Sequence, residues 1–216
     1  MPRTRIKICG VRDPKTIEAA GEAGADAVGL DLRPGARCNI DPYQASDLLA
    51  TLPPFMTAVA IYADPTLDDF LDAEAICPAP YTQLHGQEKD NLIRRIGPDA
   101  IKTVHVDPAK LPALDQSLRH WSGIEEVCAV LLEAPHAANW AELSAALARA
   151  ITLAPTPVML AGNLTPDNVE QVVRQARPWG VSVSAGVESG PGKKSAELIH
   201  GFCRAVRRAD AALQRD

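Results

Sequence analysis

The chain has 216 residues, a formal net charge of −5, 46% hydrophobic residues and 23% charged residues. This composition is typical of a folded globular protein and argues against a disordered or collagenous chain. No long basic block is present, which argues against a nucleic-acid-binding protein, and no apolar stretch approaches the length that spans a bilayer. The length suits one domain over residues 1–216.

The first residues run directly into an apolar segment, so we expect no signal region and a cytoplasmic location. Cys9, Cys38, Cys77, Cys128 and Cys203 are an odd number of cysteines without CxxC spacing. This distribution argues against a disulfide framework and a structural zinc site, and it predicts reduced thiols.

Eight short apolar runs recur along the chain, and each is too short for a helix. They cover residues 5–9, 27–30, 57–62, 81–84, 100–104, 127–132, 157–160 and 180–184. Segments with helical apolar spacing lie between them, and a long final helix is predicted over 194–213. Eight alternating units indicate an α/β fold, a single-domain (β/α)8 TIM barrel. An open doubly wound sheet shares the alternation, but the even pitch favours closure.

In such a barrel, the active site is built from the loops that follow the strands. Cys9 ends the first run and is followed by Gly10, which would admit a ligand to the rim. A thiolate there could act as a base if positive charge lowers its pKa. The alternative is a buried cysteine that only fills space in the core.

Three further side chains follow later runs. Arg37 could clamp an anionic group, His85 could tune a neighbouring group, and Glu133 could act as an acid opposite the base. Each also has a structural alternative: an exposed arginine, a histidine that only makes a hydrogen bond, and a solvated glutamate.

Glycines follow the last two runs directly, in Gly162-Asn163 and Ala185-Gly186. Backbone N–H groups beside glycine can approach a phosphate closely, although a single such loop would indicate no more than a tight turn. Two of them in the seventh and eighth units predict a phosphate site.

The remaining histidines are His105, His120, His136 and His200, and they show no metal-ligand spacing. We therefore predict no metal site.

Four motifs together resemble the phosphoribosylanthranilate isomerases of tryptophan biosynthesis. They are residues 7–10 (KICG), 83–86 (QLHG), 160–169 (LAGNLTPDNV) and 180–192 (GVSVSAGVESGPG). The resemblance covers the chain in order and implies a single-domain barrel that carries out an Amadori rearrangement without a cofactor. The implied substrate is N-(5-phosphoribosyl)anthranilate, and the implied product is 1-(2-carboxyphenylamino)-1-deoxyribulose 5-phosphate.

The resemblance also implies roles for individual residues. Cys9 matches the general base, and Glu133 stands at the position of the general acid. Arg37 matches an arginine that contacts the anthranilate carboxylate, and Lys7 and His85 are assigned to substrate binding. The resemblance assigns phosphate binding to the two loops that contain Gly162, Asn163, Ala185 and Gly186.

This chain departs from the family pattern at several of these points. Glu133 replaces an aspartate, and the glycine-rich sixth loop of the family is missing after it. Asn163 replaces a glycine and Ser182 an aspartate, and Lys193-Lys194-Ser195 stands where the family has a lysine-aspartate pair. We expect the shortened loop to leave Glu133 exposed to water, with a pKa near that of a free glutamate, about 4.3.

Two other functions remain open at this point. One is the same chemistry on a different phosphosugar amine, and the other is a non-catalytic barrel that binds a phosphate ligand. In each case we expect a small phosphosugar as the partner, with no nucleic acid and no membrane. The sequence leaves monomer and homodimer as alternatives.

Overall fold

Eight parallel strands form a closed barrel in the computed structural model, which describes residues 3–136 and 138–215. The strands are β1 Arg5–Cys9, β2 Ala27–Asp31, β3 Thr57–Tyr62, β4 Tyr81–Leu84, β5 Ala100–His105, β6 Val127–Glu133, β7 Val158–Ala161 and β8 Gly180–Val183. Each strand pairs with the next, and β1 also pairs with β8, which closes the barrel. The barrel prediction is therefore confirmed.

A helix follows every strand and covers the outside of the barrel. The helices are α1 Pro14–Glu22, α2 Pro42–Leu49, α3 Leu67–Ile76, α4 Asp90–Ile96, α5 Leu111–Ser122, α6 Trp140–Leu153, α7 Val169–Ala176 and α8 Ala196–Leu213. Several begin at a side chain that accepts a backbone N–H, for example Asp13 before α1 and Thr66 before α3. Across the described residues, no helix combines the length and apolarity needed to cross a membrane.

The chain after β8 differs from the prediction. A short two-stranded hairpin, β9 Glu188–Gly190 and β10 Lys193–Lys194, occupies residues assigned in part to the final helix. Ser195 follows this hairpin, and its side chain accepts the N–H of Leu198. This cap starts α8 at Ala196, two residues later than predicted. The hairpin lies beside the mouth of the barrel, and its residues contribute to the site described below.

Side chains alternate between the two faces of each strand, so the protein has one apolar core between the strands and the helices and another inside the barrel. On β1, Ile6 and Ile8 pack outward against the helices, whereas Lys7 and Cys9 occupy the inward positions. A second, smaller apolar cluster fills the barrel interior and includes Val59, Ile101, Ala129, Leu131 and Met159. Burial of a large aliphatic side chain stabilises the fold by about 1.5–3 kcal/mol, so both cores contribute to barrel stability.

A buried chain of polar contacts also crosses the barrel interior. The Nζ of Lys7 donates to the side-chain oxygen of Gln83, and Gln83 Nε2 donates to Thr103 Oγ1 at 3.1 Å. All three side chains are buried. Because buried polar groups are costly unless paired, this chain of contacts fixes the layer directly beneath the mouth.

Candidate active site

A cavity of about 450 Å³ opens at the carboxyl ends of the strands. Eight of the nine predicted site residues line it: Cys9, Arg37, His85, Glu133, Gly162, Asn163, Ala185 and Gly186. The carboxyl ends of the strands are where (β/α)8 barrels carry their active sites. The cavity is therefore the candidate active site.

Cys9 is the last residue of β1, and its side chain is partly buried at the floor of this cavity. It is not sealed in the core, so it can reach a ligand. Burial raises the pKa of the Cys9 thiol, and the charge of Lys7 opposes this rise without cancelling it. The condition for a thiolate base, a pKa lowered overall by positive charge, is therefore not met in the free protein, because desolvation outweighs the lysine.

Lys7 is the one predicted site residue that does not line the cavity. It lies one inward position below Cys9, and it is only 1% exposed. Burial lowers the pKa of its ammonium group, and the nearby Cys9 and Glu133 oppose this effect. Its position suits an electrostatic influence on Cys9 and Glu133 rather than direct contact with a substrate.

Glu133 ends β6 and meets two histidines from neighbouring strands. Its Oε2 lies 3.4 Å from Nε2 of His85 and 3.2 Å from Nδ1 of His105. His105 is the register partner of Glu133 in the β5–β6 pairing, and the two imidazole rings pack edge to face with centroids 4.9 Å apart. The two rings therefore hold the carboxyl group at the mouth.

The shortened sixth loop does not leave Glu133 freely solvated, contrary to the sequence-based expectation. Its side chain is 31% exposed, and burial raises the pKa of its carboxyl group, with His105 and Arg33 opposing the rise. Burial also lowers the pKa of His85 to about 4, so this imidazole is neutral at physiological pH. The raised pKa of Glu133 suits a proton donor.

The shortened loop is closed by a hydrogen bond from the next helix. Trp140, the first residue of α6, donates its Nε1 hydrogen to the carbonyl of Gly162 at 2.9 Å. This contact ties the sixth loop to the seventh. Ala137 of the sixth loop lies outside the described residues.

Arg33 and Asp31 form a second charged pair in the mouth. The Nε and Nη2 atoms of Arg33 each donate to a different oxygen of Asp31 at 2.8 Å. Asp31 is the last residue of β2, and both residues line the cavity. Sequence analysis assigned Arg33 no role. Its position two residues after an aspartate at a strand end could have indicated this ion pair.

Arg37 reaches the far side of the mouth, where it pairs with Glu188. Its Nη2 lies 2.9 Å from Glu188 Oε2, while Lys194 Nζ lies 2.9 Å from Glu188 Oε1. Burial raises the pKa of Glu188, but the hydrogen bond from Lys194 and that from the N–H of Gly192 outweigh it and lower the pKa overall. Sequence analysis places Glu188 among the rim residues that follow the eighth strand but gives it no role, and it does not include Lys194, because their contact depends on the unpredicted hairpin.

The seventh loop requires its glycine. Gly162 has a φ of +89°, and a Cβ there would lie 2.1 Å from the carbonyl oxygen of Ala134. Asn163 follows with a φ of +49°, the left-handed region that asparagine tolerates better than most residues. Asn168 holds the loop by donating to the carbonyl of Asn163 at 2.9 Å.

The eighth loop approaches the seventh closely. A Cβ on Gly186 would lie 1.8 Å from the carbonyl oxygen of Leu164, so only glycine fits. Ala185 and Gly186 begin the 3-10 turn Ala185–Val187, and the first N–H groups of such a turn have no acceptor within it. Two such loops at one edge provide backbone donors for a phosphate.

Comparison with known proteins agrees with this geometry. Residues 6–205 match the family model described as N-(5'-phosphoribosyl)anthranilate (PRA) isomerase. The chain is 39% identical to the N-(5'-phosphoribosyl)anthranilate isomerase of Magnetococcus marinus over 208 residues, covering 95% of this chain and 96% of that relative.

Solved structures give the same result. A phosphoribosyl anthranilate isomerase crystallised with reduced 1-(o-carboxyphenylamino)-1-deoxyribulose 5-phosphate matches with a TM-score of 0.80 and 29% identity, over 95% of this chain and 99% of that one. The enzyme from Thermotoga maritima matches with a TM-score of 0.81 and 28% identity, with the same coverage. The chain therefore belongs to the N-(5'-phosphoribosyl)anthranilate isomerase family.

Proposed function

We propose that this chain catalyses the Amadori rearrangement of N-(5'-phosphoribosyl)anthranilate in tryptophan biosynthesis, with Cys9 as the general base and Glu133 as the general acid. The observation that carries this assignment is that a thiol on β1 and a carboxyl group on β6 line one cavity. The same cavity contains the two glycine loops. A base, an acid and an anion site thus share one mouth.

In the first step, protonated Glu133 donates its proton to the furanose ring oxygen of the substrate. The bond between C1 and the ring oxygen breaks, and the lone pair of the anthranilate nitrogen forms a C1–N double bond. The products of this step are an open-chain hydroxyl, a protonated Schiff base and the Glu133 carboxylate. The partial burial of Glu133 favours its protonated form before the step.

In the second step, Cys9 acts as the base, although burial makes it a thiol in the free enzyme. The cationic Schiff base formed in the first step favours loss of the thiol proton to water, and the resulting thiolate removes the proton from C2. The electrons of the C2–H bond form the C1–C2 double bond, and the C1–N electrons return to nitrogen, which gives an enolamine. Ketonisation at C2 with protonation of C1 yields the aminodeoxyribulose phosphate. Both steps transfer protons between the enzyme and one substrate molecule, and the net reaction is an isomerisation that consumes no redox equivalent.

Two charged contacts orient the substrate in this account. The phosphate binds to the backbone N–H groups of the loops containing Gly162, Asn163, Ala185 and Gly186. Arg37, which lines the cavity, binds the anthranilate carboxylate. To do so, its guanidinium leaves Glu188 and turns toward the cavity. The buried Lys194 remains as the partner of Glu188 and keeps that carboxylate compensated. His85 orients Glu133 and contacts the substrate.

The wider setting is part of the same proposal. We place the enzyme in the cytoplasm, as a single domain over residues 1–216 with a small phosphosugar as its substrate. We propose that it acts without nucleic-acid or membrane partners, as a monomer or a homodimer.

Turnover by the purified chain tests the proposal. The chain should convert N-(5'-phosphoribosyl)anthranilate to product, and it should restore growth of a tryptophan auxotroph that lacks this isomerase. A folded and well-expressed chain that does neither would contradict the assignment. If it still bound the reduced product analogue, the non-catalytic phosphate-binding barrel would be the better description.

A further inference from the structure

We propose that His85, His105 and Glu133 form a binding site for a divalent ion of the zinc class, and that the bound ion switches the isomerase off. The metal site stands on the geometry of these three side chains alone. Only the inhibitory consequence rests on the proposed function, because it requires Glu133 to be the acid.

The three side chains come from the ends of three adjacent strands. His85 follows β4, His105 ends β5 and Glu133 ends β6, so the barrel fixes their backbones side by side. One donor atom from each lies within 4.8 Å of the other two. Two histidines and one carboxylate with an open position are a set that binds zinc in enzymes.

The distances fit a metal ion of ordinary size. Glu133 Oε2 lies 3.4 Å from His85 Nε2 and 3.2 Å from His105 Nδ1. Zinc–nitrogen and zinc–oxygen bonds of about 2.0–2.2 Å in tetrahedral geometry place ligand atoms roughly 3.3–3.6 Å apart. The two measured separations are already close to this spacing. Only small side-chain rotations are needed to bring Nε2 of His85 and Nδ1 of His105, which lie within 4.8 Å of each other, to the same separation.

A hydrogen bond already orients His105 for coordination. Its Nε2 lies 3.2 Å from the carbonyl oxygen of His85, which can only accept, so Nε2 carries the hydrogen. The lone pair of the neutral ring is then on Nδ1, and it faces Glu133. Metal-binding histidines characteristically donate their second ring N–H in this way.

Two of the positive groups around the site are paired with carboxylates, so their repulsion of a bound cation is reduced. Arg33 is the nearest guanidinium, and Asp31 neutralises it through two hydrogen bonds. Lys102 is paired with the buried Glu88 at 2.5 Å. Among the residues that the structure describes, Lys7 is the remaining cation beneath the site, and its Nζ donates to Gln83 rather than to Glu133.

The ligand set selects among metals. Imidazole nitrogen favours zinc, nickel, cobalt and copper, whereas magnesium and calcium prefer oxygen ligands alone. The fourth coordination position faces the cavity, where a water molecule or a substrate oxygen can occupy it. An ion bound to Glu133 uses the carboxylate oxygens that must carry the proton in the first catalytic step, so catalysis stops until the ion dissociates.

Metal titration of the tag-free chain, stripped with a chelator, tests the site directly. We expect calorimetry with Zn²⁺ to report one site per chain. His105→Phe keeps the ring packed on His85 but removes a ligand. It should weaken Zn²⁺ binding by more than about tenfold, since losing an outer partner of a metal ligand alone costs about 10- to 100-fold.

The matched control is His120→Phe. His120 also faces a carboxylate, with Nε2 3.0 Å from Asp90 Oδ1, and its ring packs edge to face on Trp121, but it lies on helix α5 rather than at the end of a barrel strand. Its loss should leave Zn²⁺ affinity unchanged. Equal weakening by the two substitutions, or none by His105→Phe, would overturn the site.

Cobalt distinguishes this site from a thiol site. Co²⁺ bound to imidazole and carboxylate should give visible d–d bands without a thiolate charge-transfer band. A thiolate band that disappears in Cys9→Ser would show that the ion binds the cysteine instead, and it would overturn the proposal.

Activity measurements then separate the two claims. Zn²⁺ should inhibit the wild type reversibly, and a chelator should restore the rate, while an equal concentration of Mg²⁺ should have no effect. The ratio of rates with and without Zn²⁺ should move toward one in His105→Phe. Zn²⁺ binding at the triad without inhibition of an active enzyme would refute the inhibitory claim, and an inactive chain that still binds Zn²⁺ there would refute the proposed function alone.

Discussion

Nδ1 of His105 lies 3.2 Å from Oε2 of Glu133, its register partner on the neighbouring strand. If Glu133 is the proposed acid, this contact would offset two departures from the family pattern, the longer acidic side chain and the shortened sixth loop. The rings of His85 and His105 contact the same oxygen, Oε2, and pack edge to face on each other, so the pair holds the carboxyl group from one side. In the proposed function, this carboxyl group is the proton donor.

Shortening this side chain should therefore reduce activity. Glu133→Asp withdraws the carboxyl group by one methylene from both histidines, and a displacement of about 1 Å can cost about a hundredfold in rate. Glu133→Gln keeps the length but cannot donate a carboxyl proton, and kcat should fall by about 10²- to 10⁴-fold. If Glu133→Asp were as fast as the wild type, the positioning by His105 would have no catalytic value.

The base and the phosphate site occupy different loops, so a substitution of the base should stop turnover without abolishing ligand binding. Cys9→Ser should lose turnover but bind the reduced product analogue with nearly wild-type affinity in calorimetry. Cys128→Ser is the matched control, because Cys128 is a partly buried thiol that lines a cavity at the opposite end of the barrel. Loss of analogue binding in Cys9→Ser would place Cys9 in substrate binding rather than in proton transfer.

The raised pKa of Cys9 predicts the pH dependence of its chemical labelling. Because burial raises this pKa above its ordinary value of 9.0, the thiol is protonated at neutral pH. Only the thiolate is nucleophilic, so alkylation of Cys9 by iodoacetamide should accelerate by about tenfold per pH unit and level off only above pH 9.

Lys7→Met tests the electrostatic part of that prediction. The charge of Lys7 lowers the Cys9 pKa, so its removal should raise this pKa further and slow labelling at every pH below the plateau. Peptide mass spectrometry resolves Cys9 from the other four thiols. A plateau near neutral pH in the wild type would contradict the assigned direction.

The two glycine loops can be tested with a neighbouring glycine as the control. Gly186→Ala introduces a Cβ 1.8 Å from the carbonyl oxygen of Leu164 and must displace the loop. Overpacking costs about 1–3 kcal/mol, which corresponds to a weakening of analogue binding of roughly 5- to 150-fold if the strain falls on the bound loop. Gly190→Ala, where nothing lies within 4 Å, should bind normally. Equal affinities would remove the eighth loop from the phosphate site.

The buried pair of Glu188 and Lys194 should contribute to stability in a pH-dependent way. Their side chains are 4% and 2% exposed, so Lys194→Met leaves a buried carboxylate without its main partner and should cost about 3–5 kcal/mol at pH 7. Lys110→Met, which removes an exposed partner of Asp107, should leave the free energy of unfolding nearly unchanged.

The sign of the pH effect follows from the lowered pKa of Glu188. The stabilisation is present above the unfolded-state value of 4.5 and is lost as the pH falls through the lower folded-state pKa. The cost of Lys194→Met in urea titrations should therefore shrink on acidification. A cost that grew at low pH would contradict the assigned shift.

Local patterns predict the barrel well, because each apolar run and each helical segment carries its own periodicity. The same reasoning places Cys9, His85 and Glu133 at the mouth, since the residue after a parallel strand must lie at the rim. The state of those groups was not accessible in this way. The pKa values of Cys9 and Glu133 depend on burial and on neighbours from other strands, such as Lys7 and His105.

Contacts that depend on irregular backbone were also not predicted. The pairing of Glu188 with Lys194 and Arg37 requires the β9–β10 hairpin, whose short strands carry no clear alternation. The histidine–glutamate cluster has no local spacing signal either, because His85, His105 and Glu133 are 20 and 28 residues apart and meet only when the barrel closes. Such sites become visible only in three dimensions.

A comparison of kcat/KM among the wild type, Cys9→Ser, Glu133→Gln and the double variant, with N-(5'-phosphoribosyl)anthranilate as substrate, tests the central claim most directly. If the thiol and the carboxyl group act on one bound substrate, each single variant should lose most of the activity and the double variant should be little worse than the poorer single variant. Full activity in Cys9→Ser, or losses that multiply as for independent sites, would contradict the account.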